Sequence, residues 1–116
     1  MSKYAQVVTD DTFDAEVISV SYQRVVLVDF WAEWCGPCRQ LALAVEEVAK
    51  NFAGRAKVVK VNVDNYPLLA QRFNIRGIPA LLFFKSGKTV DQIVGLVAKD
   101  EIIKMLEEHI RSSVPK

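Results

Sequence analysis

Two cysteines separated by two residues are the part of this 116-residue chain that most clearly indicates chemistry. Cys35 and Cys38 follow an apolar run that ends at Phe30, and they open a segment with helical spacing. A helix N-terminus presents unpaired N–H groups and a positive potential, which favours thiolate over thiol. One turn of helix also brings the two sulfurs close enough to bridge. The pair therefore predicts a catalytic dithiol that exchanges with disulfides.

Three other uses of the cysteine pair remain as alternatives. A zinc site needs four ligands, and the one histidine, His109, lies roughly seventy residues away, so we expect no metal. A purely structural disulfide would close a very short loop and add little stability. Two inert buried thiols would be the plainest alternative, but the flanking Trp34, Gly36 and Pro37 argue against them, because glycine and proline suit a tight helix entry.

Composition excludes several classes of protein. Two cysteines are too few for a small secreted disulfide scaffold. Fifteen Lys and Arg nearly balance fourteen Asp and Glu, so the chain has no strong positive electrostatic field. Such a field is what attracts nucleic acids and acidic membrane surfaces. No apolar stretch approaches the roughly 18 to 20 residues of a membrane span, and the first residues lack a signal core. We therefore expect a soluble, cytoplasmic protein that binds neither nucleic acid nor membranes.

The elements that must position the cysteines alternate between strands and helices. The patterns predict strands at 25–30, 58–63, 80–84 and 90–94, and helices at 11–20, 36–52, 65–74 and 100–111. A turn at 85–88, which contains Gly87, closes a hairpin. This order predicts an α/β fold in which a central mixed β-sheet is flanked by helices on both faces. No linker or repeat interrupts it, so we expect a single domain over 1–116 with its core at about 7–110.

The segment 28–39, Val-Asp-Phe-Trp-Ala-Glu-Trp-Cys-Gly-Pro-Cys-Arg, resembles the active-site signature of the thioredoxin family. The segment 75–79, Ile-Arg-Gly-Ile-Pro, is similar to the second hallmark of that family. The similarity covers nearly the whole chain. It implies the thioredoxin fold and a thiol-disulfide oxidoreductase that reduces disulfides in target proteins. Such a protein needs no bound cofactor, since its redox group is its own disulfide.

The resemblance also implies roles for individual residues. Cys35 would be the exposed nucleophile, and Cys38 would resolve the mixed disulfide. Asp29 would carry the proton of Cys38, and independently its place in an apolar run predicts a raised pKa. Lys60 matches a lysine that lies near this aspartate in the family and would support it. Pro79 matches the cis-proline that faces the cysteine pair.

An apolar docking surface around Cys35 is implied as well. Its residues would be Trp34, Gly36, Pro37, Ile78, Pro79 and Gly95. We expect Phe30 and Trp31 to be packing residues that shape the site, and His109 to be a solvated residue of the last helix.

The implied partners are disulfide-containing target proteins and a thioredoxin reductase linked to NADPH or ferredoxin. The chain would be a monomer that serves electron transport and cell redox homeostasis. A structural or processivity-type binding subunit is the main alternative function. An oxidase or isomerase is a further one, although the histidine usual between the cysteines of such proteins is absent here. An iron–sulfur cluster shared between two chains is the remotest alternative.

Three positions depart from the family pattern. Leu43 stands where the family usually has a proline that kinks the helix, which predicts a straighter helix with Leu43 in a new burial site or exposed. Ala80 replaces the threonine that usually follows the cis-proline. Ala98 replaces the Ser or Thr that usually caps the last helix. Without this cap we expect the free energy of unfolding to be lower by about 1 kcal/mol.

Overall fold

The computed structural model describes residues 3–112, and its central feature is a five-stranded mixed sheet in the order β1-β3-β2-β4-β5. The strands are β1 Gln6–Val7, β2 Val25–Trp31, β3 Ala56–Asn62, β4 Ala80–Lys85 and β5 Lys88–Val94. The α-helices are α1 Gly36–Asn51, α2 Pro67–Arg72 and α3 Lys99–Arg111. The predicted α/β fold is therefore confirmed. Residues 1–2 and 113–116 of the expected domain lie outside the described residues.

Strand β2 lies at the centre of the sheet because almost every residue in it is apolar. It pairs in parallel with β3 and antiparallel with β4, and residues 25–30 are all buried. Its register places Asp29 opposite Lys60 of β3 and opposite Leu81 of β4. The one carboxylate of the strand thus lies in the middle of the sheet.

The alternation of side chains along β2 divides the core between the two faces of the sheet. Val25 and Leu27 pack with residues of α1 and α3, among them Leu41, Val45, Ile102 and Leu106. Val26, Val28 and Phe30 pack on the opposite face with Phe13, Val17 and Leu69. Asp29 lies two residues after Leu27 in the strand, so the two side chains lie on the same face of the sheet, the one that α1 covers.

Two features of the N-terminal region differ from the prediction. The sequence analysis missed β1, whose two residues pair in parallel with Val59 and Lys60. The expected helix at 11–20 is wrong as a single α-helix: a π-helical turn, Asp14–Ile18, precedes a 3₁₀ turn, Val20–Tyr22. The N–H of Ser19 donates to the Asp14 carbonyl, five residues back, at 2.9 Å, so the π-helical turn is wider than an α-helical one. The 3₁₀ turn that follows is bound to the β4–β5 hairpin, because Ser86 N–H donates to the Ser21 carbonyl at 2.8 Å.

The hairpin turn itself is confirmed, with Ser86 and Gly87 at its centre. Both have positive φ, 54° and 84°, the geometry of a two-residue turn that matches the twist of its strands. Gly87 is required for space as well, since a Cβ there would lie 2.2 Å from the Tyr22 hydroxyl oxygen.

Leu43, which stands where the family usually has proline, lies on the solvent-exposed side of helix α1. Leu43 is 76% exposed, so the structure provides no new burial site for it. The helix is assigned without interruption from Gly36 to Asn51, and its straightness relative to the family stays a prediction. No helix within residues 3–112 is long and apolar enough to cross a membrane.

Helix α3 begins without a side-chain cap, as the substitution at position 98 predicts. Ala98 is the N-cap, in extended backbone conformation, and it makes no side-chain hydrogen bond to the helix. We expect Ala98→Ser to raise the free energy of unfolding by about 1 kcal/mol, because the hydroxyl oxygen would accept a hydrogen bond from an unpaired N–H of the first turn. Urea unfolding measures the change.

Ala98→Val is the matched control, because it adds side-chain bulk at the same exposed position without an acceptor. A gain of similar size in both variants would contradict the capping argument.

Candidate active site

The cysteine pair lies at the junction between β2 and α1, where the chain turns from the sheet edge into the helix. Cys35 is the N-cap of α1, and its Sγ accepts a hydrogen bond from the backbone N–H of Cys38 at 3.2 Å. The two cysteines form a disulfide with a Cα–Cα distance of 5.2 Å. Pro37 occupies the first turn, where its missing N–H costs no hydrogen bond. The structure therefore contains the oxidised form of the expected dithiol.

Both cysteines are nearly covered. Cys35 is 4% exposed and Cys38 is 2% exposed, so the expectation that Cys35 is an exposed residue is wrong for this oxidised form. The covering side chains are apolar: both cysteines cluster with Ala32, and Trp31, Val63 and Ile78 pack against the cluster. Trp31 packs against the cysteine cluster and helps to shape the site, as expected. Phe30 is a packing residue as well, but it lies in the core on the other face of the sheet, so the expectation that it shapes the site is wrong.

Asp29 is a buried carboxylate on the sheet face beneath α1. It is 1% exposed, and its Oδ1 is the one buried side-chain N or O atom within residues 3–112 that has no hydrogen-bond partner. Burial raises the pKa of Asp29 to about 7, although the positive charge of Lys60 lowers it in part. The predicted rise is confirmed. A carboxyl group with such a pKa can both accept and release a proton near neutral pH.

Lys60 contacts the site from β3. It is directly opposite Asp29 in the strand register, and its Nζ lies 4.5 Å from the centroid of the Trp31 ring. Its stem is partly buried rather than on a fully exposed strand face. The structure thus brings Lys60, Asp29 and Trp31 together, with Trp31 in turn packed against the cysteine cluster.

The segment that precedes β4 forms the opposite wall of the site. The peptide bond between Ile78 and Pro79 is cis, as expected, and Ile78 packs against the cysteines. The carbonyl of Pro79 accepts a hydrogen bond from Gly95 N–H at 2.8 Å, and Gly95 has a φ of +98°. In contrast, the backbone N–H and C=O groups of residues 76–78 make no hydrogen bond within the described chain. These groups are open to an incoming strand.

Trp34 is the largest exposed apolar side chain near the disulfide. It is 69% exposed, and its Nε1–H donates to Asp64 Oδ2 at 2.9 Å. With Val63, Ile75 and Ile78 it lines an open groove beside the cysteines. Gly36 and Pro37 are exposed as well, whereas Pro79 is buried and Gly95 is partly buried.

The sequence analysis missed Asp64 as a residue of the site. Asp64 follows β3, and β2 and β3 are parallel, so their carboxyl ends meet at the edge of the sheet where the disulfide lies. That topology was available from the predicted strands and would have placed the carboxylate beside Trp34.

His109 differs from the expectation of a solvated residue. Its Nε2 lies 2.9 Å from Asp91 Oδ2, and its ring centroid is 5.9 Å from that of Phe83. The last turn of α3 packs across β4 and β5, which brings the ring against the sheet. Within residues 3–112, no group of three or more His, Cys, Asp or Glu side chains is arranged to hold a metal ion.

Comparisons with known proteins agree with this geometry. The family model described as Thioredoxin matches residues 4–108. The chain is 50% identical over 110 residues to thioredoxin 1 of Nostoc sp., covering 95% of this chain and 100% of the relative. It is 48% identical over 102 residues to thioredoxin 2 of Chlorobaculum tepidum, covering 88% and 92% of the two chains. It is also 45% identical over 105 residues to the chloroplastic M-type thioredoxin of Pisum sativum, covering 90% of this chain and 60% of the relative.

The family match covers the sheet, the junction that carries the cysteines and the cis-proline segment. The relatives are named thioredoxins, and this chain has the close cysteine pair that forms a redox-active disulfide. Thioredoxins need no external cofactor, and they generally interact with a thioredoxin reductase and with disulfide-containing proteins. This chain therefore belongs to the thioredoxin family and is a thiol-disulfide oxidoreductase, a protein-disulfide reductase and redox carrier whose redox group is the Cys35–Cys38 disulfide.

Proposed function

We propose that Cys35 and Cys38 reduce target disulfides in two exchange steps. The placement of Cys35 at the N-terminus of α1 carries the proposal, because the unpaired N–H groups there stabilise a thiolate. In the reduced protein, the Cys35 thiolate attacks one sulfur of the target disulfide. The target S–S bond breaks, a Cys35–target S–S bond forms, and the displaced target sulfur takes up a proton.

Cys38 completes the transfer. Its thiol loses a proton, its sulfur attacks Cys35 Sγ, and the Cys35–target bond breaks as the Cys35–Cys38 bond forms. The second target sulfur takes up a proton as it leaves, so the target carries two thiols. This chain has given up two electrons and the Cys38 proton, and the other proton comes from the solvent that took the Cys35 proton when the thiolate formed. The buried position of Cys38, on the side of α1 that faces the sheet, supports its role as the internal attacker.

Asp29 would accept the proton of Cys38 in the second step. Its side chain lies on the sheet face covered by α1, and Cys38 lies on the buried side of the same helix. A pKa of about 7 suits this transfer, because an acceptor with a pKa close to the working pH is present in both forms. Lys60 would support the step by favouring the ionised form of Asp29.

The exposed apolar surface around the disulfide would hold an extended segment of the target. Trp34, Gly36, Pro37 and Ile78 supply non-polar contact area, and the unpaired backbone groups of residues 76–78 supply hydrogen bonds. Pro79 and Gly95 would shape this surface from below, since the hydrogen bond between them ties the segment to β5. A net charge of +1 agrees with recognition that does not rest on a strong overall field.

The finer assignments follow from the same chemistry. A dithiol reductant works where the surrounding redox poise returns it to the reduced state, so we place the protein in the cytoplasm, in electron transport and redox homeostasis, with a thioredoxin reductase linked to NADPH or ferredoxin as its electron source. It would act as a monomeric single domain over residues 1–116, because the surface around Trp34 must stay open to targets. The binding-subunit alternative is not favoured, since curated relatives are named thioredoxins and the close cysteine pair is intact.

Separate cysteine substitutions test the order of attack. Cys35→Ser is expected to abolish reduction of insulin disulfides, with a loss of at least about 1,000-fold, because the nucleophile is removed. Cys38→Ser is expected to attack once and to remain linked to the target, since no second thiol can resolve the bond. Turnover with dithiothreitol measures the first effect, and mass spectrometry of the trapped adduct measures the second.

The double substitution Cys35→Ser/Cys38→Ser is the control for folding and for non-covalent binding. Retained insulin reduction in Cys35→Ser, or an adduct formed through Cys38 in the unsubstituted protein, would contradict the assigned roles.

Asp29→Asn tests proton transfer. We expect the variant to resolve the mixed disulfide more slowly near neutral pH by roughly 10- to 100-fold, at or below the low end of what general acid–base catalysis contributes. Stopped-flow mixing of reduced protein with a disulfide peptide separates attack from resolution. The deficit should shrink as the pH rises, because hydroxide then removes the Cys38 proton without help from a side chain. An equal slowing of both steps at every pH would count against the role.

Stability tests the buried carboxyl group by an independent route. The folded-state pKa of about 7 lies above the unfolded value of about 3.9, so the folded chain binds more protons between these values. The free energy of unfolding should therefore fall as pH rises through this window, by up to about 4 kcal/mol, and remain low above it. Urea unfolding of the oxidised protein at pH 5 and pH 8 measures the part of the fall between these pH values, about 2.6 kcal/mol.

Asp29→Asn should remove most of that pH dependence, because an amide does not titrate. Asp10→Asn, at an exposed position, should leave it in place. If Asp29→Asn kept the full pH dependence, the buried carboxyl group would not be its source.

A further inference from the structure

The segment 76–78 lies along two shallow grooves, one of which Ile78 also lines. One groove is lined by Trp34, Val63, Pro67, Ile75 and Ile78 among others, and the second by Asn74, Ala80, Gln92 and Val94 among others. Both are also lined by Arg76 and Gly77. A peptide that pairs with the open backbone of this segment would place its side chains over both grooves.

Arg76 is the one charged residue among the described residues that line these two grooves. All the other lining side chains are apolar or uncharged polar groups. Among these lining residues, Arg76 alone can form an ionic interaction with a docked peptide.

The guanidinium of Arg76 is held in place but is not neutralised. Its Nε–H donates to Asn74 Oδ1 at 3.2 Å, and Asn74 has a φ of 58° in the turn that follows α2. No ion pair joins Arg76 to a carboxylate within residues 3–112. The remaining N–H groups form the fork that matches a carboxylate in geometry and charge.

Asp64 and Arg39 also lie near the disulfide, but neither lines these two grooves. Asp64 accepts the indole N–H of Trp34, and Arg39 Nη1 donates to the carbonyl of Glu33 at 2.6 Å. Arg76 differs from both in its position on the groove walls.

We propose that Arg76 selects targets that carry an Asp or Glu side chain close to their disulfide. This inference rests on the proposed function, because it concerns the target segment that would pair with residues 76–78. Ile78 packs against the cysteines, and Arg76 lies two residues away, about 7 Å along an extended chain. The preferred carboxylate therefore lies about two residues from the reacting cysteine of the target.

A pair of synthetic peptides provides the probe. Each is closed by one disulfide, and the two differ only by Glu or Gln two residues from the reacting cysteine, with versions that place this residue on either side. Pre-reduced protein is mixed with each peptide, and acid quenching with mass spectrometry gives the second-order rate constant. The Glu peptide of one version is expected to react about two- to fivefold faster than its Gln partner at low salt, the range of a partly exposed ion pair. In about 1 M salt the ratio should approach one.

Arg76→Gln should bring the ratio close to one at low salt, and Arg76→Lys should retain part of it, because a point charge attracts the carboxylate without the paired geometry. Lys104→Gln is the matched control, since it changes the net charge equally at an exposed position on α3 and should leave the ratio intact.

Two results would overturn the inference. One is equal rates for the Glu and Gln peptides with the unsubstituted protein in both versions. The other is an equal loss of the ratio in Lys104→Gln and Arg76→Gln, which would trace the preference to net charge. Failure to reduce any peptide would instead contradict the proposed function itself, and the inference with it.

Discussion

The redox site depends on the short connection that carries the chain from β2 into α1. Trp31 ends the strand and Gly36 begins the helix, so only four residues make the turn. Both ends are tied down: the Trp31 carbonyl accepts from Val63 N–H at 2.9 Å, and Cys35 N–H donates to the Ala32 carbonyl at 3.2 Å. The sheet fixes one end of this connection and the helix fixes the other. Cys35 is therefore held at the N-cap position of α1. Its sulfur then lies where the helix N–H groups stabilise negative charge.

The same junction explains why a costly group persists in the core. Asp29 occupies a position of β2 whose neighbours on that face, such as Leu27, are core residues, and an unpaired carboxyl oxygen there gains nothing from hydrogen bonding. Desolvation makes its ionised form unfavourable, and the nearby charge of Lys60 offsets this only in part. A leucine would pack there at lower cost, but it could not exchange a proton beneath α1. The fold thus keeps a local instability beneath α1, where the proposed transfer of the Cys38 proton would use a weak acid.

The accuracy of the sequence-based predictions follows from how locally each feature is encoded. The central strands, α1 and α3 carry long apolar patterns, and the cysteine pair lies within a contiguous signature, so these could be read from adjacent residues. Strand β1 is two residues long and exists only because Val59 and Lys60 offer an edge, which no local pattern records. The 3₁₀ turn after Ile18 is bound to the β4–β5 hairpin by a hydrogen bond between Ser21 and Ser86, which lie far apart in sequence. The ring of His109 is held by Asp91 and Phe83 from two different strands.

The proposed two-step exchange does not require tight recognition of the target. The covalent mixed disulfide holds the target during the exchange, so the groove beside Trp34 need only orient the disulfide before attack. Tighter contact with substrate and product alike would slow release of the reduced target without lowering the barrier to exchange. An open apolar groove with unpaired backbone groups meets that requirement, because hydrophobic contact is non-directional and any extended segment offers N–H and C=O partners. On the proposed docking mode, discrimination among targets would come from the few groups that favour one side chain over another, and along residues 74–78 the charged group is Arg76.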